Sequence, residues 1–353
     1  MRQLKKTTWK LKGNQSFRQF FFVLPVAVLF WQANGLSFTQ IMLLQSIFAI
    51  MIVALEIPSG YFADIYGRKI ALIISSIFGM VAMMIFAIGS GFWHFVLAEI
   101  LFAIDVSFTS GTKAAFLYDT LKELGREKEY KKIWGDMFFY SLLSLALAGI
   151  IGSFLGAINL RYAAYASIPF FGLMIPLTFS MQETQSHKAI ITKNYTKDLI
   201  HILKVALITN TKLRWLIIYS GVIYAFSQAA LWLYQPYFVL SGIDIAYYGI
   251  VFASFQVVAA ISSKYSHQIE EKLGVNNSLA ALFILVAFSY LLMANFIFLF
   301  SFTFCFLQQF VRSFRRTIVT DYINQNTPSA NRATVLSVGS FFGRIIYAIF
   351  IPI

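Results

Sequence analysis

Gly60-Tyr61-Phe62-Ala63-Asp64-Ile65-Tyr66-Gly67-Arg68-Lys69 is a short polar interval between two apolar runs, Thr39–Pro58 and Ile70–Gly89. Each run has the length of a helix that crosses a bilayer, which takes about 20 mostly apolar residues. The interval between them has turn chemistry: glycines at Gly60 and Gly67 for backbone freedom, an acid at Asp64, and bases at Arg68 and Lys69. Two spans joined by a charged turn point to an all-α membrane protein.

Composition leads to the same class. Of 353 residues, 59% are hydrophobic and only 12% charged, where a soluble domain carries about a quarter charged residues. The 38 Phe and 18 Tyr add apolar surface that lipid can cover and a globular core cannot. Cys305 is the single cysteine, which excludes an intramolecular disulfide and a multi-cysteine metal site. Its apolar neighbours make it a packed core thiol. The net charge of +13 does not indicate nucleic acid, because the basic residues fall in short clusters between apolar runs.

Eleven such runs are predicted as spans: Asn14–Ala33, Thr39–Pro58, Ile70–Gly89, Phe92–Tyr118, Trp134–Ile158, Tyr162–Met181, Leu213–Leu240, Ala246–Lys264, Ser278–Ala294, Asn295–Thr320 and Ala333–Ile353. With the N-terminus in the cytoplasm, the basic clusters at Arg2–Arg18, Arg68–Lys69, Lys113–Lys132, Lys188–Arg214, Lys264–Lys272 and Arg312–Arg332 all fall on the cytoplasmic side. Only Arg161 lies in an outer loop, and Arg344 lies inside a span. The positive-inside rule therefore predicts a cytoplasmic N-terminus in a cytoplasmic membrane. The basic stretch Met1–Lys12 precedes the first run as in a signal peptide, but no small-residue cleavage site follows, so an uncleaved first helix is expected.

The pattern Gly60-x-x-Ala63-Asp64-x-x-Gly67-Arg68-Lys69, preceded by Glu56-Ile57-Pro58-Ser59, resembles the signature of the major facilitator superfamily. The resemblance implies two parallel-repeat helical bundles. Residues 1–181 form the first, 182–212 a cytoplasmic linker, and 213–353 the second, as six plus five spans. The family usually has twelve, so its twelfth is expected to be lacking here. An internal repeat agrees: Tyr118-Asp119 and Thr320-Asp321 each end an apolar run, and aligning them pairs Lys113 with Arg315. The loop Tyr265–Gly274 occupies the signature's place in the second half, where the motif has decayed. The resemblance also implies a gate in which Asp64 lies against the start of the eleventh helix near Arg332, Arg68 reaches Asp119, and Glu56 joins them.

Ionisable and polar residues inside spans are the candidate transport site, because each is expensive in lipid. Asp105, Thr109, Thr112 and Asp119, at spacings of 4, 3 and 7, fall on one face of the fourth span, with Lys113 one turn from Thr109. Asp105 is the candidate for proton coupling or for a cationic substrate group, and Glu99 is read as interfacial. Lys113 and Arg315, with Arg312 one turn away, could attract an anionic group or reach to lipid. On the seventh span Tyr224, Gln228, Trp232 and Gln235 form a stripe of rings and amides, which Gln256, Gln308 and Gln309 extend. Gly149, Gly152 and Gly156 on the fifth span allow close helix packing. The family's drug–proton antiporters tend to carry a Gly-Pro-rich signature there, and this chain has the glycines without the proline.

The resulting expectation is a secondary transporter, not an enzyme, working by alternating access as a monomer without a cofactor. A proton gradient would drive export of a small amphipathic compound. The alternatives are proton-linked uptake of a nutrient or metal chelate, and a non-transporting membrane protein or sensor.

Overall fold

The computed structural model describes residues 2–184, 210–327 and 332–351, and among these every regular element is a helix. In chain order they are α1 (Arg2–Arg18), α2 (Ala27–Ala33), α3 (Phe38–Tyr66), α4 (Arg68–Ile88), α5 (Phe92–Thr109), α6 (Thr112–Glu123), α7 (Tyr130–Ile158) and α8 (Leu160–Phe179), then α9 (Thr211–Leu240), α10 (Tyr248–Asn295), α11 (Cys305–Gln325) and α12 (Arg332–Phe350). Two compact units result. The first comprises Met1–Ile191 with Ile245–Ile250, and the second Thr192–Asp244 with Val251–Ile353. Most of the expected linker, with Lys188, Lys193, Lys197 and Lys204, lies outside the described residues.

Seven segments among the described residues are long and apolar enough to cross a membrane: Phe38–Tyr66, Arg68–Ile88, Phe92–Glu123, Glu127–Ile158, Leu160–Phe179, Thr211–Leu240 and Ile245–Asn295. The last holds two of the expected spans. Its helix is interrupted only at Gly274 (φ 75°, ψ 168°), so the expected loop Tyr265–Gly274 is helical up to that glycine. The expected tenth span starts late: Ser301–Phe304 is a 3-10 turn and the α-helix begins at Cys305. Three arginines, Arg312, Arg315 and Arg316, keep α11 below the apolarity of the others.

The expected first span differs most from a plain helix. Met1–Lys12 is expected as a basic lead-in, but α1 is already helical from Arg2. Leu4, Thr7, Thr8 and Leu11 are buried at helical spacing. The helix then stops at Arg18 and resumes as a 3-10 turn, Leu24–Val26, carrying Pro25, which cannot donate a backbone hydrogen bond. The broken backbone is satisfied by its neighbours: Phe22 N–H donates to Ser167 Oγ on α8 (3.0 Å). On α7, Gly152 lies so near that a Cβ there would stand 1.8 Å from the Phe22 carbonyl oxygen. Gly156 leaves similar room for Val26. The glycines of α7 thus receive a helix break.

The fourth span is also broken. Ser110-Gly111, with Gly111 at φ +73°, separates α5 from α6. Asp105 and Thr109 therefore sit on one helix and Thr112, Lys113 and Asp119 on the next, rather than on one continuous face. Around these breaks the first unit packs Leu11, Leu72, Phe116, Leu117, Leu121, Ile133, Met137 and Met181. In the second unit Leu216, Ile217, Leu282, Val311, Phe314 and Val338 form the core that joins α9, α10, α11 and α12.

Gly152→Ala should destabilise the purified protein by about 1–3 kcal/mol or more, because its Cβ meets backbone rather than a movable side chain. Gly135→Ala, on the same helix with open space around the site, should be neutral or stabilise by up to about 1 kcal/mol. Thermal unfolding of the two variants in detergent checks the difference.

Candidate functional site

Arg18, the last residue of α1, points into the first unit and meets Asp105 of α5. Nη1 pairs with Oδ2, and Nη2 donates to Oδ1 at 2.6 Å. The same Nη2 lies 2.7 Å from Ser75 Oγ on α4 and from Thr109 Oγ1 on α5. Ser75 Oγ in turn donates to Asp105 Oδ1 at 2.7 Å. Asp105 is 1% exposed. Gly79 on α4 makes room for it, since a Cβ there would stand 3.0 Å from the carboxylate. Ser75 is two turns from the start of α4, so the pair lies about 10 Å along that helix from its signature end. Arg18 therefore stands apart from the basic cluster Arg2–Arg18 expected at the cytoplasmic surface. The signal was available, because Arg18 falls inside the predicted span Asn14–Ala33.

Lys113 lies beside this pair. It is 3% exposed, and its Nζ donates to Gln15 Oε1 of α1 (2.8 Å). Neighbouring Thr112 is 5% exposed. Asn14 is buried with neither amide atom hydrogen-bonded among the described residues. The cluster thus holds two cations, Arg18 and Lys113, against one anion, Asp105. Glu99 is buried against Gln45 of α3, which corrects its reading as an interfacial carboxylate.

At the signature end the turn is tighter than expected. Gly60 to Tyr66 are helical, and the chain reverses at Gly67 alone (φ 111°, ψ 145°). Arg68 forms an ion pair with Asp119 of α6, each side chain 16% exposed. Glu183, not singled out in the sequence, accepts from the Lys69 backbone N–H at 2.8 Å and so caps the start of α4, where a negative group is favoured by the helix dipole. A Cβ on Gly67 would stand 2.5 Å from that carboxylate. Asp64 is exposed on the last turn of α3, and Glu56 is half-buried farther up it. Ser59 ties α3 to α5 by donating to the Ser107 carbonyl (2.9 Å).

In the second unit Arg315 of α11 donates to Ser220 Oγ of α9 (2.9 Å), and its guanidinium carbon lies 5.4 Å from the centre of the Tyr224 ring. Trp232 Nε1 donates to Tyr347 Oη of α12 (2.8 Å), whose ring lies 6.4 Å from that of Tyr224. Gln228 and Gln256 are half-buried, and Gln235 is buried. Gln308 donates to Ser289 Oγ (2.6 Å) and Gln309 to Tyr234 Oη (3.2 Å). These last two amides join helices within the unit. Gly221 and Gly343 let α9 and α12 approach closely.

Breaks within two helices and buried charges beside them define a membrane helical bundle built around a polar interior, the form of a solute transporter. The chain belongs to the Major Facilitator Superfamily, whose family profile matches residues 16–351. It is accordingly a multi-pass membrane transporter and not an enzyme. The uncharacterized MFS-type transporter YxaM of Bacillus subtilis (strain 168) is 24% identical over 328 residues, covering 91% of this chain and 81% of that protein. Among solved structures, the nucleoside transporter NupG superposes with a TM-score of 0.80 at 15% identity over 97% of this chain and 89% of that one. A D-xylose–proton symporter gives 0.70 at 13% identity, over 97% and 88%. At these identities the structural likeness establishes the fold.

Arg68→Gln and Asp119→Asn should each lower the unfolding temperature. Their double-mutant cycle should leave a coupling of about 0.5–3 kcal/mol, since each single variant strands a mostly buried charge. Additive losses would mean that the pair is not formed in solution.

Proposed function

We propose that this chain is a secondary active transporter in which a cytoplasmic-side gate and a buried charge pair alternate with each turnover. The Arg18–Asp105 pair carries the reading. It connects α1, α4 and α5 through Ser75 and Thr109, in a medium where an unpaired charge is costly. Protonation of Asp105 would remove the one acid that pairs with Arg18 among the described residues and release the helix break that presents it. This is the two-state element that coupling requires. Arg68 and Asp119, beside the Gly67 turn, form the gate, with Asp64, Lys69 and Glu56 around it. Thr112, Lys113, Tyr224, Gln228, Trp232 and Gln235 contribute to solute binding in their respective bundles, 1–181 and 213–353.

On this reading the N-terminus is cytoplasmic, the membrane is the cytoplasmic membrane, and the monomer exports a small amphipathic compound against protons. The basic clusters support the orientation, and the rings and amides of α9 support the solute class. Inside-out vesicles should accumulate a fluorescent amphipathic dye when their lumen is acidified and lose it when the gradient is collapsed. Asp105→Asn should abolish gradient-driven accumulation and spare exchange at equilibrium. Accumulation by right-side-out vesicles instead would reverse the direction, and gradient-driven transport surviving Asp105→Asn would remove Asp105 from coupling.

A further inference from the structure

Helix α11 brings Arg312, Arg315 and Arg316 into little more than one turn. No described acid neutralises Arg312 or Arg315. The groups acting electrostatically on Arg312 are the phenols of Tyr234 and Tyr224 and the guanidinium of Arg316. Those acting on Arg315 are Tyr224, Arg312, Arg316 and Tyr219. The described acids of this unit lie elsewhere. Glu270 accepts from Tyr322, Glu271 pairs with His267, Asp321 accepts from Gln325, and Asp244 lies past the end of α9. Arg315 Nε is buried without a hydrogen-bond partner among the described residues.

A long basic side chain in a span ordinarily reaches for the headgroups. Arg315 does not. It is held by Ser220 and Tyr224, which lie about 13 and 20 Å along α9 from its start at Thr211. Its guanidinium lies on the Tyr224 ring, an arrangement that leaves donor edges open. Beside it, Tyr224, Tyr347 and Trp232 form an aromatic wall. Arg315 is fixed within its helical unit, meets no described acid and adjoins aromatic rings, with the exposed Arg312 one turn away on α11, and such a pair is suited to a ligand that brings the missing negative charge.

We propose that Arg312 and Arg315 form an anion-binding subsite, and that the transported compound carries a carboxylate or phosphate beside an aromatic or apolar body. This rests on the transport reading and names its substrate class. Binding is tested without transport, so the two readings fail separately. Purified full-length protein in neutral detergent is heated with 1-naphthoate, 1-naphthyl phosphate or the uncharged 1-naphthamide. At least one of the anions should raise the unfolding temperature by about 2–4 °C while the amide does not. Arg312→Gln and Arg315→Gln should each abolish that rise, and at least one should unfold no earlier than the wild type when ligand-free, as expected when an unneutralised charge is removed. The proposal is overturned if none of the three probes shifts unfolding, if the amide matches the anions, if the rise survives both substitutions, or if both substitutions destabilise the ligand-free protein. A phosphatidylglycerol additive that gives the same rise and blocks that of 1-naphthoate would assign the subsite to a lipid headgroup and overturn the substrate class.

Discussion

Opposite charges set among packed helices constrain everything around them, and Arg18 with the buried Asp105 are such a pair. Their attraction offsets the cost of desolvation only when geometry is good and the remaining donors and acceptors are satisfied. Here the carboxylate takes both terminal guanidinium nitrogens, and Ser75 and Thr109 supply further oxygens to Nη2, while Nε is buried with no hydrogen-bond partner among the described residues. The surrounding sequence serves that geometry. The first span breaks after Arg18, Ser167 and Gly152 accommodate the broken backbone, and Gly79 leaves space for the carboxylate. A straight first helix would need neither the Phe22–Ser167 hydrogen bond nor a glycine against the Phe22 carbonyl.

The units treat charge differently. In the first, Asp105 pairs with Arg18 and lies near Lys113, whose Nζ donates to the neutral oxygen of Gln15. In the second, Arg315 likewise takes a neutral oxygen, that of Ser220, and Arg312 has no acid at all among the described residues. The sequence repeat that pairs Lys113 with Arg315 thus joins two basic side chains that donate to uncharged oxygens, Gln15 on α1 and Ser220 on α9. A protein interior selected for stability alone would replace such groups with apolar ones. Their presence is consistent with an interior selected for binding.

The fold class was legible because lipid solvation forces a coarse signal: apolar runs of span length with charge confined between them. Helix breaks were not legible to that signal, since hydropathy averages over them. Ser110-Gly111 and Gly274 are ordinary residues in a hydropathy window, yet each marks a positive φ that ends a helix. In the candidate site, Asp105 could be singled out because an acid in a span stands out. Its partner Arg18 is also inside a predicted span, but a positive-inside count assigns every arginine near a span end to the surface. Helical spacing in Leu4, Thr7, Leu11 and Arg18 would have carried α1 inward and exposed the error. Glu183 lies far from Lys69 in sequence, and its role as a helix cap follows only from tertiary packing.

Arg18 and Asp105 neutralise each other in the folded protein. Unfolding temperatures of Arg18→Met, Asp105→Leu and the double variant, measured in the same detergent at neutral pH, test it most directly. Each single variant strands a buried charge and should cost about 3–5 kcal/mol, whereas the double variant removes both and should recover much of that loss. A double variant as destabilised as the sum of the two singles would contradict the account.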